Sequence, residues 1–136
     1  MYLRVVTAAL SMLQAARTLE ISVDTLRFYE RSGLLPRVER LENGHRRFSE
    51  ETITWVRFVL HLRKTGMPLT RIREYGQLAL EGHRTVLERR NLLEEQLRNV
   101  TQQIDQLEVA RGSIQQKLER YDCLEQVLKA EKRGST

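Results

Sequence analysis

The feature that most restricts this chain is a narrow apolar stripe in its second half. Apolar residues fall at Val86, Leu93, Leu97, Val100, Ile104, Leu107, Ile114, Leu118, Tyr121 and Leu128, and the spacing alternates between three and four once Arg90, Arg111 and Glu125 are accepted as interruptions. This is a heptad seam. A helix of roughly 40 residues is about 60 Å long, and a stripe that long and thin cannot be covered by the short segment that precedes it. It needs a partner helix, and the simplest supplier is a second copy of the chain in a two-fold dimer. Leu93, Leu97, Val100, Ile104, Leu107, Ile114, Leu118 and Tyr121 are therefore the candidate dimerisation residues. The competing arrangement, an intramolecular hairpin bent at Gly112, lacks any proline or turn cluster to mark the bend.

Charge divides the chain in the same way. The first 80 residues hold 13 Lys and Arg against 8 Asp and Glu, whereas the remainder holds 10 against 10. The whole positive excess sits ahead of the seam, as expected of a polyanion-binding head on a neutral helix, with duplex phosphates the commonest partner. No apolar run approaches the roughly 20 residues of a membrane span, and the mildly apolar start, which contains Arg4, has no convincing cleavage site, so a cytoplasmic protein is expected. The single cysteine, Cys123, cannot form an internal disulfide and cannot by itself build a thiolate zinc cage. No metal and no cofactor are expected.

Within the head, Met12–Leu19 has Met12, Leu13, Ala16 and Leu19 at helical spacing, and Ser22 is a suitable cap for a second helix over Val23–Arg31. Two helices joined by a short turn form a helix-turn-helix, whose second helix offers its outer face to a groove. There Leu26 should face the core, Phe28 and Tyr29 should lie at its edge, and Asp24, Thr25 and Arg27 should point outward. Gly33 stops the helix. From Arg37 to Phe48 a basic segment surrounds Asn43-Gly44, which favours a tight hairpin, so short strands on either side predict a wing. Ser49, Glu50 and Glu51 start a helix that buries Ile53, Val56, Val59, Leu60 and Leu62 and ends near Gly66. A further helix restarts at about Thr70 and should carry Ile72, Tyr75, Leu78 and Leu80 inward.

Three segments, in this order, resemble the DNA-binding domain of the MerR family: Ser22–Pro36 (SVDTLRFYERSGLLP), Asn43–Ser49 (NGHRRFS) and Leu62–Met67 (LRKTGM). Leu80-Glu81-Gly82, Arg84-Thr85-Val86 and the long helix are similar to the aldehyde- and electrophile-responsive AdhR-type branch. The resemblance implies a mainly α fold, a winged helix-turn-helix head followed by a long antiparallel coiled-coil dimerisation helix. The chain is thereby divided into an N-terminal extension over 1–10 with no assigned role, a DNA-binding head over 11–82, the coiled-coil helix over 83–128 and a flexible tail over 129–136.

For function, the resemblance implies a homodimer on an inverted-repeat operator in double-stranded promoter DNA, with RNA polymerase as the further partner and promoter bending and untwisting as the means of control. Arg27 suits a guanine edge or a phosphate, and the Tyr29 hydroxyl suits backbone oxygens. Arg17, Thr25 and Phe28 complete the helix-turn-helix candidates. His45, Arg46 and Arg47 lie on the wing, and Arg63 and Lys64 match a second wing that meets phosphates. Three departures bear on this: His45 and Phe28 stand where the family commonly has tyrosine, and Glu20 where it has the glycine of the turn.

The sensing side is less legible. At the position of the reactive cysteine of AdhR-type relatives this chain has His61, so that thiol cannot be the sensor. Cys123 lies in the neighbourhood where metal-responsive relatives carry cysteines, but no second cysteine accompanies it; it is at most a sensor candidate. Its acidic neighbours Glu119, Asp122 and Glu125 oppose thiolate formation. An enzyme is not expected, since His45, His61 and His83 fall on different elements and no phosphate-binding glycine loop occurs. A coiled-coil adaptor with no specific DNA target would account for 86–128 but leaves the basic head unexplained.

Overall fold

The computed structural model describes residues 9–35, 39–40 and 46–134. Five α-helices and a two-stranded antiparallel sheet make up these residues: α1 (Met12–Leu19), α2 (Val23–Arg31), β1 (Glu39–Arg40), β2 (Arg46–Arg47), α3 (Glu50–Lys64), α4 (Leu69–Leu80) and α5 (Val86–Gly134). A single 3₁₀ turn, Gly82–Thr85, separates α4 from α5.

Side chains that satisfy the free N–H groups set the start of each of the first three helices. Ser11 and Gln14 form a reciprocal capping box on α1, at 3.3 and 3.0 Å. Ser22 Oγ accepts from the Thr25 N–H at 3.0 Å, and Ser49 Oγ from the Thr52 N–H at 3.2 Å. Chain reversals set the ends. Glu20 adopts the left-handed conformation (φ 57°, ψ 40°), and Gly33 and Gly66 take φ of +75° and +87° after α2 and α3.

The helices pack α1 against α2 and α3, and α3 against α4. Their shared core contains Ala15, Ala16, Leu19, Leu26, Ile53, Val56, Val59, Leu62 and Ile72, closed by Leu34, Leu35, Phe48 and Met67 from the connecting segments. In the sheet Glu39 faces Arg47 and Arg40 faces Arg46, and Phe48 continues β2 into an antiparallel bridge with Leu10. The Asn43-Gly44 turn expected between the strands lies outside the described residues.

Several expectations need correction. Leu10 exchanges backbone hydrogen bonds with Phe48 at 2.9 and 2.8 Å, so Leu10, placed in an extension with no assigned role, pairs with the head. Leu13 and Leu80 are 52% and 46% exposed, because the buried face of α1 runs through Ala15, Ala16 and Leu19, and Leu80 is the last residue of α4. The compact head extends to Leu93, with Leu92 buried and Leu93 packed on the core. Leu93 is therefore a head residue, where the heptad pattern had made it the start of a free seam.

The second unit begins at Glu94, and its described residues are the remaining length of α5, to Gly134. The helix passes through Gly112 without interruption, so the hairpin bent there does not form. It also continues to Gly134, past the limit at residue 128, where Lys129 pairs with Glu125 at 3.1 Å and the strong helix formers Lys129, Ala130, Glu131 and Lys132 sustain it. Along this unit Val100 is half-buried, and the other seam residues stand open on the single chain, from Ile104 at 49% to Leu107 at 69% exposure.

Candidate nucleic-acid interface

The second helix of the helix-turn-helix is anchored by its inner face. Leu26 is fully buried and Tyr29 nearly so, and three residues of spacing put both on one side of α2. The opposite side then has to face solvent: Asp24, Arg27, Phe28 and Arg31 are exposed. Arg27 thus stands on the open face of α2, with its aliphatic stem free to extend a bidentate donor.

Thr25 is only partly exposed, and its hydroxyl lies 2.8 Å from Ser22 Oγ, within the N-cap of α2. Tyr29 is buried at the ring and tilted against Phe28, with centroids 5.9 Å apart. Arg17, in the last turn of α1, is exposed.

Of the wing candidates, His45 lies outside the described residues and Arg46 lies on β2. Arg47 is half-buried, and its Nη1 donates to the Ala9 carbonyl at 2.9 Å, which ties the wing to the chain entering α1. Arg63 and Lys64 end α3, both exposed, and Arg63 Nη1 donates to the Met67 carbonyl at 3.1 Å. That bond closes the turn between α3 and α4 and holds the guanidinium close to it.

Two contacts were not anticipated from sequence. Trp55 on α3 donates its indole Nε1–H to the Leu34 carbonyl at 2.8 Å, and Arg73 on α4 donates Nε to the Ser32 carbonyl at 2.7 Å. Both grip the backbone immediately after α2. The signal available was a lone tryptophan between core positions of α3: its N–H demands a partner when the ring is partly buried.

Among the described residues no group of three or more His, Cys, Asp or Glu is placed to hold a metal ion, and Cys123 is exposed on α5. No helix among them is long and apolar enough to cross a membrane.

A helix-turn-helix with an exposed arginine on its second helix, flanked by a two-stranded wing, defines a DNA-binding protein of the winged helix-turn-helix class. Two family models match the chain: the MerR HTH family regulatory protein over residues 10–78 and the MerR DNA-binding region over residues 53–117. An HTH-type transcriptional regulator of Haemophilus influenzae is 39% identical over 108 residues, covering 79% of this chain and 80% of that one. The regulator AdhR of Bacillus subtilis is 39% identical over 84 residues, covering 62% of this chain and 60% of that one. In three dimensions, HiNmlR, a MerR family regulator lacking the sensor domain and solved bound to promoter DNA, superposes with a TM-score of 0.79 at 37% identity, over 84% of this chain and 90% of that one. The chain belongs to the MerR family of helix-turn-helix regulators. It is a DNA-binding transcription regulator and not an enzyme.

Proposed function

We propose that the protein acts as a cytoplasmic homodimer that binds an inverted-repeat promoter operator, α2 of each copy entering a major groove, and controls transcription by bending and untwisting the DNA between the half-sites for RNA polymerase. The observation that carries the dimer is the open seam on α5. Leu97, Ile104, Leu107, Ile114, Leu118 and Tyr121 are each about half or more exposed on the single chain. Two-fold pairing along that helix covers the stripe and presents two recognition helices with matching symmetry, as an inverted repeat requires.

In this reading Arg27 reads a base edge, with Arg17, Phe28 and the hydroxyl of Tyr29 beside it. Arg46, Arg47, Arg63 and Lys64 meet phosphates, and His45 is assigned the same role. Thr25 serves the groove face through its helix cap. Deformation lets such a protein act without reading every base it spans. Cys123 carries no role in it.

Footprinting on genomic DNA, combined with fluorescence anisotropy over a series of salt concentrations, tests the reading. A protected inverted repeat, bound as a dimer with a steep salt dependence, is the expected result. Sequence-independent binding by a monomer would contradict it.

A further inference from the structure

The recognition helix is closed at its end in two ways. The first is local. Gly33, at φ +75°, donates its N–H to the Glu30 carbonyl at 3.1 Å, and Leu34 donates to the Tyr29 carbonyl at 3.0 Å. This reversal ends α2 but does not set how α2 lies against the rest of the head. The second is long-range: the carbonyls of Ser32 and Leu34 accept from two other helices, from Arg73 Nε of α4 at 2.7 Å and from Trp55 Nε1 of α3 at 2.8 Å.

Stability alone does not account for the pair. The bond from Arg73 is exposed, so water would serve the Ser32 carbonyl if the guanidinium were absent, and a hydrogen bond in such a place contributes only about 1 kcal/mol. What the two bonds add is direction. α2 packs on α1 with Leu26 and Tyr29 in the shared core, and apolar burial is non-directional. One hydrogen bond at the exit of α2 would leave a swivel. Two, on carbonyls two residues apart and from different helices, remove it.

The scale of the motion they prevent decides what it would affect. α2 has 9 residues, a length of roughly 13 Å, so a tilt of about 10° moves one end by about 2 Å and Arg27, at its middle, by about 1 Å. Contacts to a base edge hold only within about 0.5 Å and 10–20° of their best geometry. Phosphate contacts are less exacting, because long cationic side chains follow a shifted helix.

We infer that Trp55 and Arg73 are positioning residues for sequence reading: together they fix the exit of α2 so that Arg27 meets a base edge, without themselves touching DNA. The inference rests on the reading of α2 as the helix that enters the groove.

The test compares the parent protein with Trp55→Phe, which keeps an aromatic ring and loses the donor, and with Arg73→Gln. The specific probe is a duplex that the parent protein selects from a random-sequence pool, and the reference is a scrambled duplex of the same composition. Both are titrated by fluorescence anisotropy over a series of salt concentrations, on protein shown by circular dichroism to be folded. Each variant should bind the selected duplex about threefold to tenfold more weakly and the scrambled duplex within about twofold of the parent, with an unchanged salt slope. A bond that only stabilises the fold would lower the melting temperature and leave the ratio of the two affinities where it was. Should Trp55→Phe fail to fold, Arg73→Gln, at an exposed position, carries the test. An unchanged ratio overturns the inference. Equal losses on both duplexes, with the salt slope of Arg73→Gln reduced by about one, would make Arg73 a phosphate contact and overturn it as well. If the parent protein selects no sequence, the groove-reading role of α2 fails and the inference with it; variants that discriminate as well as a selective parent contradict the inference alone.

Discussion

Arg73, on α4, donates its Nε to the carbonyl of Ser32, the C-cap of the recognition helix, across a separation of 41 residues in sequence and 2.7 Å in space. A cation at a helix C-terminus opposes the negative end of the dipole as well as satisfying a free carbonyl. The stem of the same arginine lies 3.9 Å from where a side chain at Gly33 would begin, so it also walls the turn that ends α2. Arg73→Ala is expected to lower stability by about 1 kcal/mol, seen as a lower urea midpoint with an unchanged slope. An unaltered midpoint would show that the bond contributes nothing measurable.

Glu20 occupies a left-handed conformation at the turn of the helix-turn-helix, with φ 57° and its N–H directed at the Ala16 and Arg17 carbonyls. A side chain with a Cβ pays roughly 1–2 kcal/mol there, of which glycine recovers a part after its greater freedom in the unfolded chain is counted. Glu20→Gly should therefore raise thermal stability by up to about 1 kcal/mol and leave α1 and α2 in place. A lower melting temperature would mean that the carboxylate has a stabilising contact that outweighs the strain.

These two positions show how unevenly the fold was legible. Helix starts at Ser22 and Ser49 and reversals at Gly33 and Gly66 follow from short-range chemistry, so capping residues and glycines place α2 and α3 closely. Long-range bonds have no such signature. The pairing of Leu10 with Phe48 and the reach of Arg73 to Ser32 depend on how the elements meet, which no local pattern records. The same limit applies to the candidate site: outward placement of Arg27 follows from helical period, but the engagement of Arg47 with Ala9 and of Arg63 with Met67 does not.

Arg27→Ala removes a long donor from the exposed face of α2, where Leu26 and Tyr29 on the other side keep the helix seated. Operator affinity should fall by about 1–3 kcal/mol, with the loss concentrated on the cognate sequence and the melting temperature unchanged. Anisotropy titrations with operator and scrambled duplexes decide it; equal losses on both would reassign Arg27 to a phosphate.

Lys64 is the last residue of α3, exposed, and lies in sequence next to an arginine that is already committed to the Met67 carbonyl. A mobile ammonium in such a place neutralises charge without reading sequence. Lys64→Ala should weaken operator and scrambled duplex alike and reduce the slope of log affinity against log salt by about one. A loss confined to the operator would show that Lys64 contributes to base readout.

Ile104 is 49% exposed on the single chain and stands on α5 between the seam residues Leu97 and Leu107, which are more than half exposed. If two copies pair along this stripe, two-fold symmetry places each Ile104 in an apolar surface supplied by the other chain, so a lysine enters the interface twice. An ammonium desolvated there without a partner carboxylate costs several kcal/mol per ion, more than the burial of one isoleucine returns. Ile104→Lys is therefore expected to sediment as a monomer at concentrations where the parent protein is a dimer. The head, whose core of Leu26, Leu34, Phe48, Val56 and Ile72 lies within residues 9–93, should keep its own melting transition. Binding to a full inverted repeat should then collapse to the weak affinity of one head for one half-site, because the gain from linking two heads is lost. A lysine variant that remains dimeric with normal operator affinity would place the dimer interface on a different surface from the α5 seam.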